Sequence, residues 1–128
     1  SSDNIHRFLK KHQLILPSNI TVFPRQEDVA HFYNTASLVL NLSDKNLFIE
    51  TFGLTALEAM SAALPVIVPT VGGIAEFVDD GVNGYKIDVQ NIDKIVDTIK
   101  YLFYDKEKYL LLAGNAKKIS EKINNINQ

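Results

Sequence analysis

The chain contains no cysteine and no tryptophan, only one methionine, and four prolines. The missing cysteine excludes a disulfide scaffold and a thiolate metal site, and it fits a reducing compartment. Neither sign of charge dominates: 13 Lys and Arg stand against 15 Asp and Glu, for a net charge of −2. That balance leaves no electrostatic footprint for nucleic acid. No apolar run approaches the roughly 20 residues that span a bilayer, so no membrane span is expected. The first residues, Ser1 to Arg7, carry no signal-peptide pattern. What remains is 128 residues, 46% hydrophobic and 22% charged, a composition that fits one soluble, intracellular globular domain with a single core.

The segments alternate in type. Ser2 or Asp3 caps a first helix reaching about Gln13, with Ile5, Phe8 and Leu9 on one face. Pro17 to Asn19 breaks it, and Ile20 to Phe23 reads as a short strand. Glu27 to Tyr33 is a short helix, and Ser37 to Leu42 is a strand apolar enough to be buried on both faces. After the polar loop Ser43 to Phe48, an almost wholly apolar helix runs from Gly53 to about Ala63. Pro65 to Pro69 is the next strand, with its prolines at the ends where a sheet tolerates them. Thr70 to Gly73 turns into a short helical segment, Ile74 to Val78, and Tyr85 to Ile87 is a last strand. Asn91 caps a helix carrying Ile92, Ile95, Val96, Ile99, Leu102 and Phe103 at helical spacing. Asp105 starts a final helix with Tyr109, Leu112, Ala113, Ala116, Ile119 and Ile123 inward. Short apolar strands alternating with helices predict an α/β fold, a Rossmann-like parallel sheet with helices on both faces.

In such sheets ligands lie beyond the carboxyl ends of the strands. Two strand-to-helix junctions suit that position. At Ser43 to Thr55, Gly53 opens a helix whose first backbone N–H groups suit an anion such as a phosphate. At Thr70 to Gly73, two glycines let the backbone approach a ligand closely. Neither junction has the three spaced glycines of a dinucleotide site or the Gly-Lys-Ser/Thr ending of a P-loop. Two carboxylates, Glu50 and Glu58, flank the first junction. A glutamate on so apolar a helix either reaches solvent or binds something specific.

Each of these features has a plainer alternative. Thr55 to Glu58 fits a capping box in which Glu58 reaches back to a backbone N–H. Glu50 taken alone is a solvated loop residue, and Gly72-Gly73 taken alone is a turn. His6, His12 and His31 lack metal spacing and a nucleophilic partner, so no metal site is expected. Glu76, Asp79 and Asp80 are acidic residues around a helix end, and the turns from Asp79 to Gly84 are structural.

Taken together, the motifs are more specific. Glu50-x7-Glu58, Glu58-Ala59-Met60, Leu64 to Ile67, Val71 to Glu76 and Asp80 to Gly84 follow in order at tight spacing. This set resembles the C-terminal, nucleotide-sugar-binding domain of a retaining GT-B glycosyltransferase of family 4, the group 1 glycosyl transferases. The resemblance covers about Asn19 to Leu112. It implies one incomplete domain over 1–128 that lacks its first strand–helix–strand unit. It implies a nucleoside-diphosphate sugar as donor substrate, no further cofactor, and transfer to an acceptor with retention at the anomeric carbon.

By position, the resemblance places Glu50 beside the donor sugar as the catalytic residue. Ser43, Phe52, Gly53, Leu54 and Thr55 serve the sugar and diphosphate, with backbone N–H groups from the last four. Glu58 takes the ribose hydroxyls, and Gly72, Gly73 and Glu76 line the far side of the cleft. The loop after Phe23 is where such backbones meet the base, although Pro24 stands where the family often has glycine. Ala63 likewise stands where glycine is usual, and a left-handed conformation there costs about 1–2 kcal/mol.

A glycan or lipid-linked acceptor is expected through an N-terminal domain outside this chain, so the chain alone is expected to be inactive. A cytoplasmic location follows from the resemblance, at the inner face of the membrane in the full-length enzyme, with a role in polysaccharide biosynthesis for the cell envelope. The alternatives are a non-catalytic nucleotide-sugar-binding or assembly module, and another GT-B enzyme such as a nucleotide-sugar epimerase.

Overall fold

The computed structural model describes residues 2–24, 26–46 and 53–126. The chain divides into two compact units, 1–31 and 32–128.

The first unit is built on α1 (Ser2–Lys11). Ile5 and Leu9, four apart, are half-buried on one face, while Phe8 is exposed and packs its ring against His12 at 4.4 Å. Gln13, at φ +53°, ends the helix in the left-handed conformation. Leu14 N–H then reaches back to Leu9 O at 2.9 Å, and Gln13 N–H to Lys10 O at 3.2 Å. This pair of bonds is the Schellman closure that satisfies the last carbonyls of a helix. Ile20 to Phe23, expected as a strand, forms no ladder, and Ile20, Val22 and Phe23 are exposed. A strand exists only through a ladder with its neighbour, and the described sheet is built of other segments.

Helix α2 (Ala30–Thr35) begins three residues later than expected. Asp28 marks the start, its carboxylate accepting from Ala30 N–H at 3.0 Å.

The second unit holds a three-stranded parallel sheet of β1 (Val39–Leu40), β2 (Val66–Val68) and β3 (Tyr85–Lys86), in that order. Val39 pairs with Val66 and Leu40 with Ile67, while Ile67 and Val68 pair with Tyr85 and Lys86. β2 is central and wholly buried. Its alternation divides the core in two. Val66 and Val68 face α3 (Leu54–Ser61) and α5 (Lys106–Ile126), packing with Ala56, Met60, Ala116 and Ile123. Ile67 faces the other way, packing with Ile87, Ile95 and Ile99 around α4 (Ile92–Tyr104). Helices therefore cover both faces, as the pattern predicts. β1 departs from its expected burial: Val39 is half-buried and Leu40 exposed, because β1 is the edge of the described sheet and pairs on one side only.

The helix ends are legible in the local chemistry. Asn91 Oδ1 accepts from Lys94 N–H at 3.3 Å to open α4, and Asp105 accepts from Lys108 N–H at 3.0 Å to open α5. α3 closes with a second Schellman pair, Leu64 N–H to Ala59 O at 3.1 Å and Ala63 N–H to Met60 O at 3.0 Å. Ala63 sits at φ +58°, so an L side chain occupies the left-handed position that favours glycine.

Candidate functional site

Parallel strands β1 and β2 point their carboxyl ends the same way, so the segments leaving them emerge side by side. β1 continues through Asn41, whose N–H bonds Ile67 O at 2.8 Å, and then turns at Ser43. The Asn41 side chain forms that turn, accepting from Ser43 N–H at 3.0 Å. Next comes a clasp. Lys45 Nζ lies 3.0 Å from Asp88 Oδ2, and Gln90 Nε2 donates to Asp44 Oδ2 at 2.8 Å, joining the loop after β1 to the loop after β3. The Asp88 carboxyl is held below its ordinary value, first by the Gln90 backbone N–H and then by Lys45. Lys45 is thus an ion-pair partner of Asp88. Glu50, Thr51 and Phe52 lie outside the described residues.

The chain is described again at Gly53, the N-cap of α3. The N–H groups of Leu54, Thr55 and Ala56 precede the first intrahelical bond, Leu57 N–H to Gly53 O at 2.9 Å. A Cβ on Gly53 would lie 2.7 Å from Ile74 Cγ2 and 2.9 Å from Ile74 Cβ. Ile74 is 2% exposed and opens the 3-10 turn Ile74–Phe77 that follows the second junction. Glycine at position 53 therefore lets the α3 N-terminus press against the turn that leaves β2. Gly72 adopts φ +117°, open only to glycine in practice, and the N–H groups of Ala75 and Glu76 fold back onto the carbonyls of Gly72 and Gly73. The structure thus brings Gly53, at the N-terminus of α3, against Ile74 in the Gly72–Glu76 turn, while Ser43 follows the end of β1, the strand paired with β2.

Glu58 is exposed on α3. Its carboxylate is therefore open to solvent and to a ligand alike. The capping-box alternative does not form, because the N-cap is Gly53 and Thr55 lies inside the first turn. Instead Thr55, three before Glu58 and so on the same helical face, meets a residue that sequence reading left unassigned. This is Tyr33 of α2, whose hydroxyl donates to Thr55 O at 3.4 Å. Burial raises the Tyr33 pKa, as do the hydrogen bond and charge of Glu58, while the Thr55 side chain pulls the other way. The signal was weak in the sequence: one tyrosine on a short helix, 22 residues before its partner.

The turns from Asp79 to Gly84 are structural. Asn83 is 2% exposed, its Oδ1 accepting from Asp79 N–H at 2.7 Å and its Nδ2 donating to Phe77 O at 2.9 Å. Lys108 and Asn115 of α5 hold the same loop at Gly81 O and Val82 O, at 2.6 and 2.9 Å. Among the described residues no group of three or more His, Cys, Asp and Glu is gathered for a metal ion, and no helix is long and apolar enough to cross a membrane.

Comparison with known proteins agrees with this architecture. An uncharacterized glycosyltransferase of Methanocaldococcus jannaschii is 32% identical over 120 residues, covering 92% of this chain and 32% of that protein. The N-acetyl-alpha-D-glucosaminyl L-malate synthase of Bacillus anthracis is 32% identical over 104 residues, 81% of this chain and 26% of the enzyme. This chain therefore spans about a quarter to a third of the length of these relatives. Its fold matches that of Anabaena HepE, solved in complex with UDP-glucose, with a TM-score of 0.76 over 94% of this chain and 32% of that one, at 24% identity. The Glycosyl transferases group 1 profile matches residues 5–119. The chain belongs to the group 1 glycosyl transferases and carries the Rossmann-like architecture of their GT-B fold.

Proposed function

We propose that residues 1–128 form one incomplete donor-binding domain of a retaining glycosyltransferase, and that its ligand is a nucleoside-diphosphate sugar. The observation that carries the proposal is the packing of Gly53 on Ile74. It brings the N-terminus of α3 against the turn that follows Gly72-Gly73, at the junctions that leave two adjacent parallel strands. The HepE complex with UDP-glucose supports the choice of ligand.

On this reading the diphosphate lies at the α3 N-terminus, where Gly53, Leu54 and Thr55 present N–H groups. Glu58 accepts from the ribose hydroxyls. Glu50 and Phe52 lie at the sugar, Glu50 beside the reacting face, and Ser43, Gly72, Gly73 and Glu76 complete the walls. When the bond from the anomeric carbon to the diphosphate breaks, the departing oxygen takes the negative charge, and an acceptor hydroxyl forms the new bond on the same face as its proton passes to the departing diphosphate. The helix terminus stabilises that charge by up to about 2 kcal/mol. Enzymes typically lower barriers by about 8 kcal/mol or more. The difference must come from groups outside this chain, so the chain alone binds donor without turning it over. The acceptor, a glycan or lipid-linked sugar, meets the donor across a second domain of the full-length enzyme. That enzyme acts in the cytoplasm, at the inner face of the membrane, in building envelope polysaccharide.

Calorimetry with nucleoside diphosphates tests the reading. A ligand at 100 times its Kd raises stability by about 2.7 kcal/mol, and thermal shift reads this directly. Glu58→Ala should weaken binding of the bare diphosphate, whereas Glu50→Ala should alter discrimination among sugars. Equal nucleotide affinity in wild type and Glu58→Ala removes the ribose role.

A further inference from the structure

The loops that leave β1 and β3 are shaped alike and tied to each other. Asp44 Oδ1 accepts from Asn46 N–H at 2.9 Å, and Asp88 Oδ1 accepts from Gln90 N–H at 2.9 Å. Each loop therefore turns on an aspartate that bonds the backbone two residues ahead. The second oxygen of each aspartate goes to the other loop. Asp44 Oδ2 accepts from Gln90 Nε2 at 2.8 Å, and Asp88 Oδ2 lies 3.0 Å from Lys45 Nζ. Because β2 stands between them, β1 and β3 are about 10 Å apart, too far for a backbone bond. Side chains can span that width, and these two links do so at the edge of the sheet where the chain leaves β2 for Thr70 to Gly73. One partly exposed pair contributes little by itself. Two links from neighbouring residues, Asp44 and Lys45, fix the orientation of the loop as well as its place.

We propose that this clasp positions the start of the loop after β1, Ser43 to Asn46, and so sets how tightly the sugar of the donor is held, with Lys45, Asp88 and Gln90 as positioning residues that act through the loop. The inference rests on the donor-site reading and deepens it, because that reading gives the diphosphate to the α3 N-terminus and the sugar to the loop leaving β1. The two parts of the ligand then depend on different supports. The α3 N-terminus is held where Gly53 packs on Ile74, away from the clasp residues. The loop after β1 must be ordered when the sugar binds, and a loop already tied down loses less freedom at that moment. Breaking the clasp should therefore be felt at the sugar and not at the diphosphate.

The test titrates the chain by calorimetry with UDP, GDP and ADP and with UDP-glucose, GDP-mannose and ADP-glucose. The tightest sugar nucleotide and its bare diphosphate are then carried through the variants. Lys45→Met, Asp88→Asn and Gln90→Ala should each weaken the sugar nucleotide by about twofold to fivefold, while the bare diphosphate changes by less than about 1.5-fold. Lys45→Met combined with Asp88→Asn should weaken it no more than the stronger of the two alone, since the same contact is lost in each. If the sugar nucleotide and the bare diphosphate weaken equally, the clasp supports the fold as a whole and the inference fails. It fails as well if the losses of Lys45→Met and Asp88→Asn add. If all three variants bind both ligands as wild type does, the clasp has no positioning role and the donor-site reading stands. If wild type binds neither diphosphate nor sugar nucleotide, the donor-site reading falls and this inference with it.

Discussion

Gly53 and Ile74 occupy one another's space: a single methyl on Gly53 would stand 2.7 Å from Ile74 Cγ2. Ile74 is branched at Cβ and buried, so it has no free rotamer to retreat into. Gly53→Ala should therefore destabilise the chain by about 1–3 kcal/mol. Ile74→Ala alone opens a cavity and costs about 2–5 kcal/mol. The double variant should be more stable than the sum of the two losses by at least about 0.5 kcal/mol, because Ile74→Ala removes the Cγ2 contact at 2.7 Å and leaves only the Cβ contact at 2.9 Å to be relieved by a small shift. Urea denaturation of all four proteins measures the coupling, and strict additivity would mean that the two junctions are not in contact.

Ala63 carries the opposite signature, a side chain where the backbone asks for none. At φ +58° an alanine bears about 1–2 kcal/mol of left-handed strain. Glycine relieves it, while adding chain entropy to the unfolded state worth about 0.5–1 kcal/mol. Ala63→Gly should accordingly stabilise the chain by about 0.5–1 kcal/mol, since the Schellman bonds from Ala63 and Leu64 remain. A rise in Tm of a few degrees by calorimetry is the expected result. A fall would show that the alanine methyl makes contacts that outweigh its strain.

Much of this molecule is legible in its residues, and the failures share a cause. The inward positions of α5 and the caps Asn91 and Asp105 depend on nearest neighbours along the chain, and they stand as the pattern predicts. The Ile20–Phe23 strand and the burial of β1 on both faces depend on strands alongside, which local sequence cannot supply. At the candidate site the glycines declare themselves, because position 72 takes a φ that other residues avoid. Tyr33 does not. Its bond to Thr55 O arises from the packing of α2 against α3, and one aromatic on a short helix gives no hint of which group it will meet.

Asn83 shows what a buried amide holds in place. It bonds Asp79 N–H and Phe77 O together, closing the turn that carries the chain into β3. Asn83→Ala removes both partners at once and leaves two backbone groups short of hydrogen bonds, at about 1–3 kcal/mol for each that is kept from water. A net loss of about 2–4 kcal/mol in urea denaturation is expected. Lys108→Ala, which releases the same loop at Gly81 O, should cost less because a carbonyl near the surface finds water. If Lys108→Ala proves the more damaging, the loop is held from α5 and not from within.

The Lys45–Asp88 clasp gives the chain an acid-sensitive contribution. Asp88 in the folded state sits below its ordinary value near 3.8, first because the Gln90 N–H donates to it and next because Lys45 stands opposite. A depressed carboxyl means that the unfolded chain binds the proton more readily. The contribution is therefore present in full above the unfolded value, and it is lost as pH falls through the folded one. Asp88→Asn should be less stable than wild type at pH 6, and the gap should close as pH drops below about 4. Raising the salt concentration should narrow the gap at pH 6 by screening the exposed pair, while leaving the bond from Gln90 N–H in place. Because Gln90 also reaches Asp44, the same loss should loosen the loop after β1, and faster amide exchange at Ser43 to Asn46 in Asp88→Asn would report it. Unchanged exchange there would confine the clasp to the loop after β3.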